Sequence, residues 1–137
     1  MTFEINRLRA FATQYTAAWC SQNPAGVAHH YAPDGRLSVN EGTPAIGRKA
    51  ITEVAQGFMV AFPDLQVVLD NVVPHGDRVH YHWTLIGTNT APGGTGHRVR
   101  ISGYEDWQLS EDGLIAESQG YFDADLYQHQ LLHGVAQ

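Results

Sequence analysis

The chain of 137 residues has one cysteine, few basic residues and no long apolar run. Cys20 alone cannot form an internal disulfide, so a reducing compartment is expected. Eight Lys and Arg against fourteen Asp and Glu give a net charge of -6, which disfavours nucleic acid and anionic membranes as partners. The N-terminal stretch lacks the apolar segment of a signal peptide or a membrane span. We therefore expect a soluble, cytoplasmic protein.

The apolar fraction of 43% is enough for one core, and we predict a single domain over residues 1–137. In the first half, apolar residues recur three or four apart over 3–20 and 49–62, which predicts two helices. Asn23 and Pro24 begin a short helix that includes Tyr31, and Pro33 to Gly35 forms a turn before a short strand over 36–40.

After Phe62 the hydrophobic period changes from helical to alternating. Glycine, aspartate or proline turns separate four β-rich runs, and a short helix over 123–132 ends the chain. Helices followed by an antiparallel meander predict an α+β domain, with the helices on one face of a strongly curved sheet. The four runs are 65–73, 78–88, 97–109 and 114–122.

Alternation predicts which strand residues face the core. In the second run Val79, Tyr81, Trp83 and Leu85 share one face, and His80 and His82 share the other. In the third run, Glu105 lies on the apolar face with Ile101 and Trp107. Because burying an unpaired carboxylate is costly, Glu105 must be paired, hydrated or protonated.

The order of elements resembles the nuclear-transport-factor-2-like superfamily and, within it, the SnoaL-like polyketide cyclase and ester cyclase group. The matching stretches include "YTAAW", "YAPDGRLSVNEGTPAIGRKAI", "GDRVHYHWTLIGTN", "SGYEDWQL" and "YFDADLYQHQL". The resemblance implies a cone-shaped, curved antiparallel sheet wrapped around the N-terminal helices, the cystatin-like roll, with a deep and mostly apolar pocket. It also implies that no metal or cofactor is used and that two copies form a homodimer through the outer sheet face.

The resemblance further implies an activity and two carboxylates. Cyclases of this group close a ring by an intramolecular aldol reaction, with an acid/base Asp just after the last strand, where this chain has Asp123. As an alternative, Asp123 is the N-cap of the last helix, and the two roles are compatible. The related ketosteroid isomerases place a Tyr at Tyr15 and a neutral, proton-donating Asp at Glu105, but their base position falls on Val39 or Asn40.

Glu105 also has two interpretations. It is either a buried acid bonded to Tyr15 or Tyr104, or a proton donor to an enolate, with its pKa raised by desolvation. Asn40 is either a turn residue or a ligand for a substrate carbonyl. The large aromatic residues are core residues, some of which would also form flat pocket walls. They are Trp19, Phe58, Phe62, Trp83 and Trp107.

Four further positions bear on the site. Cyclase relatives often have His where this chain has Asn89 and Trp where it has Gln119, which indicates a different substrate. His80 and His82 have the spacing of half a metal site, but they face outward and lack a third ligand, so no metal site is predicted.

Our first hypothesis is a cyclase or isomerase acting on a small apolar carbonyl compound. The alternative is a non-catalytic module for ligand binding or dimerisation.

Overall fold

The structure, a computed structural model, describes residues 4–135. In this part of the chain, four helices and six strands occur. They are α1 (Ile5–Cys20), α2 (Pro24–Ala28), β1 (Tyr31–Val39), β2 (Ala45–Ile46), α3 (Arg48–Ala61), β3 (Gln66–His75), β4 (Arg78–Thr88), β5 (Arg98–Leu109), β6 (Ile115–Phe122) and α4 (Ala124–His133).

The six strands form one open sheet in the order β2-β1-β6-β5-β4-β3. The four long C-terminal strands form the predicted antiparallel meander. β1 lies between β2 and β6, and it runs parallel to β6. The sheet is curved and unclosed, and it holds the N-terminal helices on its concave side. The predicted α+β cone is confirmed.

The turn predicted at Pro33 to Gly35 is wrong, because these residues lie inside β1. Tyr31 pairs with Ile115 and Arg36 pairs with Glu117, so β1 carries extra residues as a bulge. A Cβ on Gly35 would lie 2.9 Å from the carbonyl oxygen of Ile115. The turn-forming residues therefore bend the strand without ending it. Tyr31, predicted in the short helix, begins this strand.

The helices bury the apolar faces that the spacing predicts. Glu4 caps α1, since its side chain accepts hydrogen bonds from the backbone N–H groups of Asn6 and Arg7. The predicted start at Phe3 lies outside the described residues. Along α1 and α3, the buried side chains recur at helical spacing and face the sheet. They are Leu8, Ala12, Tyr15, Thr16, Trp19, Ile51, Ala55 and Met59.

The core lies between these helices and the concave face of β4 and β5. Val79, Tyr81 and Leu85 are buried, and Trp83 of the same strand face is partly buried. The rings of Tyr81 and Trp107 stack with centroids 4.8 Å apart. The predicted inward alternation is therefore confirmed for both strands. None of the helices within residues 4–135 is long and apolar enough to cross a membrane.

Candidate active site

A cavity opens between the concave sheet face and the helices. The volume available to the centre of a water molecule is about 70 Å³. The lining is almost entirely apolar. It consists of Trp19, Leu37, Val39, Val54, Phe58, Val67, Tyr81, Trp83, Leu85, Ile101, Glu105, Gly120, Phe122 and Tyr127.

The structure brings four of the nine predicted site residues to this lining, namely Trp19, Phe58, Trp83 and Glu105. The other five lie elsewhere: Tyr15, Asn40, Phe62, Trp107 and Asp123. Three of these, Tyr15, Phe62 and Trp107, are fully buried behind the wall. The lining therefore contains three of the predicted aromatic residues and one of the two predicted carboxylates.

Glu105 is held at the cavity wall by one of its two oxygens. Oε1 accepts hydrogen bonds from the Tyr15 hydroxyl at 2.9 Å, from the Trp107 Nε1–H at 2.9 Å and from the Ser118 hydroxyl at 2.8 Å. Within residues 4–135 no side chain or backbone N–H donates to Oε2. Oε2 is therefore the carboxyl oxygen available to a molecule in the cavity.

Strand register explains why these donors converge. Trp107 lies two residues beyond Glu105 on the same face of β5. Ser118 lies opposite Trp107 on the neighbouring strand β6. The Tyr31 hydroxyl lies 2.9 Å from that of Tyr15. Because the Tyr15 hydroxyl donates its single proton to Glu105, the hydrogen bond between the two hydroxyls has Tyr31 as its donor. The predicted bond to Tyr15 is confirmed, whereas Tyr104 is on the opposite face.

Burial sets the charge state of this network. Glu105 is 8% exposed, and desolvation raises the pKa of its carboxyl, while the bonds from Trp107, Ser118 and Tyr15 offset part of that rise. Burial also raises the pKa of the Tyr15 and Tyr31 hydroxyls well above the usual value, which keeps both protonated as donors. Burial thus favours the neutral form of the carboxyl, and with Oε1 occupied by three donors, a proton on this group would lie on Oε2.

The raised pKa of Glu105 gives a pH dependence of stability. The folded protein holds this proton more tightly than the unfolded chain, whose carboxyl has a pKa near 4.5. The free energy of unfolding, relative to Glu105→Gln, should be highest below pH 4.5 and fall as pH rises through the folded pKa. Urea denaturation of both proteins from pH 4 to 9 measures this difference. A difference that stays constant or grows with pH contradicts the assignment.

Asp123 lies at the strand–helix junction and faces solvent. Its Oδ1 accepts a hydrogen bond from the backbone N–H of Leu126 at 3.0 Å, as an N-cap does. The capping alternative thus describes its geometry, and the catalytic role stays a prediction. The helix that it caps carries Tyr127, whose ring packs on Phe122 with centroids 5.5 Å apart and lines the cavity.

Asn40 has a structural role beside the cavity. Its φ of 49° is left-handed, which suits Asn in a turn. Its Oδ1 accepts a hydrogen bond from the backbone N–H of Phe122 at 3.0 Å, and its own N–H donates to the Gly120 carbonyl at 2.8 Å. Asn40 therefore holds the end of β6, with Phe122, in position, and its side-chain oxygen is already occupied.

The two positions that differ from cyclase relatives lie outside the lining. Asn89 organises the β4–β5 connection, because its Oδ1 accepts from the Thr95 N–H at 2.8 Å and its Nδ2 donates to the Ala61 carbonyl at 2.9 Å. Gln119 accepts a hydrogen bond from the Tyr121 hydroxyl at 3.1 Å on the convex face. Neither residue changes the wall that a ligand would meet.

His80 and His82 lie on the convex face, as predicted. The ring of His80 stacks on His75 with centroids 4.4 Å apart, and its Nε2 is 3.9 Å from Asp106. Desolvation lowers the pKa of His80 although Asp106 opposes the effect. Between residues 4 and 135, no three His, Cys, Asp or Glu side chains are grouped so as to hold a metal ion.

Sequence reasoning missed most of the aliphatic lining, and of the three donors to Glu105 it predicted only the bond from Tyr15. Leu85 and Ile101 could have been found, because they share the inward strand faces with Trp83 and Glu105. Ser118 required the pairing of β5 with β6, which alternation along one strand does not give. Tyr127 required the direction in which α4 leaves the sheet.

The open curved sheet, the helices on its concave side and the cavity between them define the nuclear-transport-factor-2-like fold, which also includes ketosteroid isomerase-like proteins. The sequence profile of the SnoaL-like domain matches residues 12–118, most of the chain. The chain therefore belongs to the SnoaL-like domain family. No curated protein sequence matches it.

Solved structures share this fold at low sequence identity. TsrD from Streptomyces laurentii superposes with a TM-score of 0.80 at 18% identity, over 95% of this chain and 98% of TsrD. AclR, a proposed hydroxylase from Streptomyces galilaeus, gives 0.78 at 22% identity, over 93% and 97% of the two chains. A proposed SnoaL-like polyketide cyclase from Jannaschia sp. CCS1 gives 0.72 at 18%, over 92% and 94%. At these identities the likeness shows the fold alone.

Proposed function

We propose that this chain is a SnoaL-like enzyme of the cyclase or isomerase type that acts on a small apolar carbonyl compound. The observation that carries the proposal is the carboxyl group of Glu105. Three donors fix its Oε1, and its Oε2 is left for an apolar cavity. A neutral acid in such surroundings is a strong hydrogen-bond donor toward a carbonyl oxygen.

The chemistry follows from where charge develops. When the carbon next to the carbonyl loses its proton to water, negative charge moves onto the oxygen, and the bond from Glu105 strengthens. In a ring closure, the enolate carbon bonds to a second carbonyl carbon, the first carbonyl re-forms, and the negative charge moves to the second oxygen, which takes the proton of Oε2. The proton that water took from carbon then returns to Glu105. The net reaction is a rearrangement that needs no further reactant.

The apolar walls supply the positioning. Trp19, Phe58 and Trp83 surround the cavity together with Phe122 and Tyr127. A flexible ligand packed against these rings is held folded, so its two reacting carbons meet as in an intramolecular reaction. The apolar lining also keeps the carboxyl poorly solvated, which helps to raise its pKa.

A second candidate function is ligand binding without turnover. It is favoured by the position of Asp123, which is exposed and occupied as a helix cap. It is also favoured by the three hydrogen bonds that hold Glu105, since a locked acid is equally suited to hold a carbonyl ligand. The two candidate functions differ in whether a bound ketone exchanges the protons next to its carbonyl with the solvent.

Exchange of the hydrogens next to the carbonyl of butyrophenone in D₂O, followed by proton NMR, tests the proposal. We expect the protein to accelerate this exchange over buffer. Asp123→Asn should leave the rate unchanged, and Asp123→Ala should lower the free energy of unfolding by about 1 kcal/mol through loss of the cap.

Three outcomes are informative. Binding of butyrophenone without exchange supports the second candidate. Loss of exchange in Asp123→Asn, with the free energy of unfolding intact, identifies Asp123 as the base that the family resemblance implies. Neither binding nor exchange contradicts both candidates.

A further inference from the structure

Among the buried side-chain donors of the described residues, one has no hydrogen-bond partner, and it belongs to Trp83. Its Nε1–H makes no hydrogen bond and is shielded from water. Buried indole N–H groups are normally paired, as Trp107 is with Glu105. Because a phenylalanine would fill a similar space without an unpaired donor, the orphaned N–H calls for a physical explanation.

The register of β4 and β5 places Trp83 and Glu105 at neighbouring positions of the concave face. Tyr81 lies opposite Glu105 and Trp83 lies opposite Gly103, so Trp83 and Glu105 are diagonal neighbours on the concave face. Such neighbours are roughly 7–8 Å apart between Cα atoms. Gly103, opposite Trp83, has no side chain, and Trp83 and Glu105 both line the same cavity.

We propose that the Trp83 N–H is a second recognition donor and selects a ligand with two acceptor oxygens, a dicarbonyl compound. This inference rests on the proposed function, because Glu105 holds the first carbonyl. The second oxygen accepts from Trp83. The half-buried ring of Phe122 packs edge-on against the indole with centroids 6.1 Å apart. Because Nε1 is shielded, a ligand that reaches it must move side chains that pack on the indole. Trp83 is thus a specificity-determining residue.

Two ketones with the same carbon skeleton separate the effects of shape and of the second oxygen. Butyrophenone has one carbonyl, and 1-phenylbutane-1,3-dione has two. Dissociation constants are measured at pH 6 by titration of ¹⁵N-labelled protein, in which each indole N–H gives its own NMR signal. The variants are Trp83→Phe and, as a matched control, Trp19→Phe, the same change at another wall of the cavity.

We expect the wild type to bind the dione about tenfold more tightly than butyrophenone, the effect of one added hydrogen bond. Trp83→Phe should bind the two ketones equally, because it lacks the donor for the second oxygen. Trp19→Phe should keep the preference. In the wild type, the Trp83 signal should move downfield with the dione and not with butyrophenone, a readout that does not require the variant to fold.

The outcomes distinguish the two proposals. Equal binding of both ketones by the wild type, a preference retained in Trp83→Phe, or a Trp83 signal unmoved by the dione overturns the role of Trp83 and leaves that of Glu105 standing. Absence of binding of either ketone to the wild type overturns both.

Discussion

Glu105→Gln is expected to lower the rate of proton exchange in butyrophenone by about 100-fold or more. Glutamine keeps an oxygen that can accept from Tyr15, Trp107 and Ser118, so the anchoring network can persist. It replaces the acidic O–H at the cavity with an amide that cannot release a proton. The loss should therefore fall on catalysis, with the fold retained.

Glu117→Gln is the matched control for this experiment. Glu117 lies on the neighbouring strand β6, but its carboxylate faces the convex side and pairs with Arg78 at 3.0 Å. The same substitution there should leave the exchange rate within about twofold of wild type, because this carboxylate faces away from the cavity. The fold should also be kept, because a partly exposed ion pair contributes little to stability. Exchange at the wild-type rate in Glu105→Gln would contradict the role of Glu105 as proton donor. Circular dichroism of both variants verifies that the fold is kept.

Gly103→Ala is expected to destabilise the protein by about 3 kcal/mol, since overpacking at a rigid site is costly. A Cβ at this position would lie 2.7 Å from Cζ2 of the Trp83 indole, and it would meet the Tyr121 carbonyl oxygen at still shorter range. One obstacle is backbone, so a rotamer change cannot relieve it. Relief would require β5 and β6 to separate next to the cavity.

Gly57→Ala provides a control of opposite sign. Gly57 is exposed in the interior of α3, and a Cβ there would meet no atom within 4 Å. Alanine should stabilise the protein by about 0.5–1 kcal/mol, because it restricts the unfolded chain and favours the helix. Urea denaturation of both variants gives the two free energies. If Gly103→Ala is as stable as the wild type, Gly103 does not lie this close to the Tyr121 carbonyl and the Trp83 ring.

Local periodicity was sufficient to predict the faces of β4 and β5. Tyr81, Trp83 and Glu105 turn inward because side chains alternate along a strand whatever the strand packs against. The same alternation does not predict how far along the cone an inward side chain lies. Trp107 and Glu105 share one face, yet only Glu105 reaches the cavity, because the position along the cone depends on the curvature of the whole sheet.

Two other features depended on partners distant in sequence. Pro33 to Gly35 has the composition of a turn, but pairing with β6 keeps these residues in a strand. Asp123 follows the last strand, where a cap and a pocket acid look alike in sequence. The start of α4 directs its side chain to the backbone N–H of Leu126. Sequence could predict both alternatives for Asp123 but could not choose between them.

The anchoring of Glu105 through a single oxygen has a stereochemical consequence. With Oε1 occupied by three donors, a bound ketone would meet the acid at one fixed point of the wall. If an aromatic wall then covered one side of the carbonyl plane, an approaching carbon would have only the other side. A ring closed in this cavity would have one handedness at its new centre, decided by the curvature of the protein and not by the reactivity of the substrate.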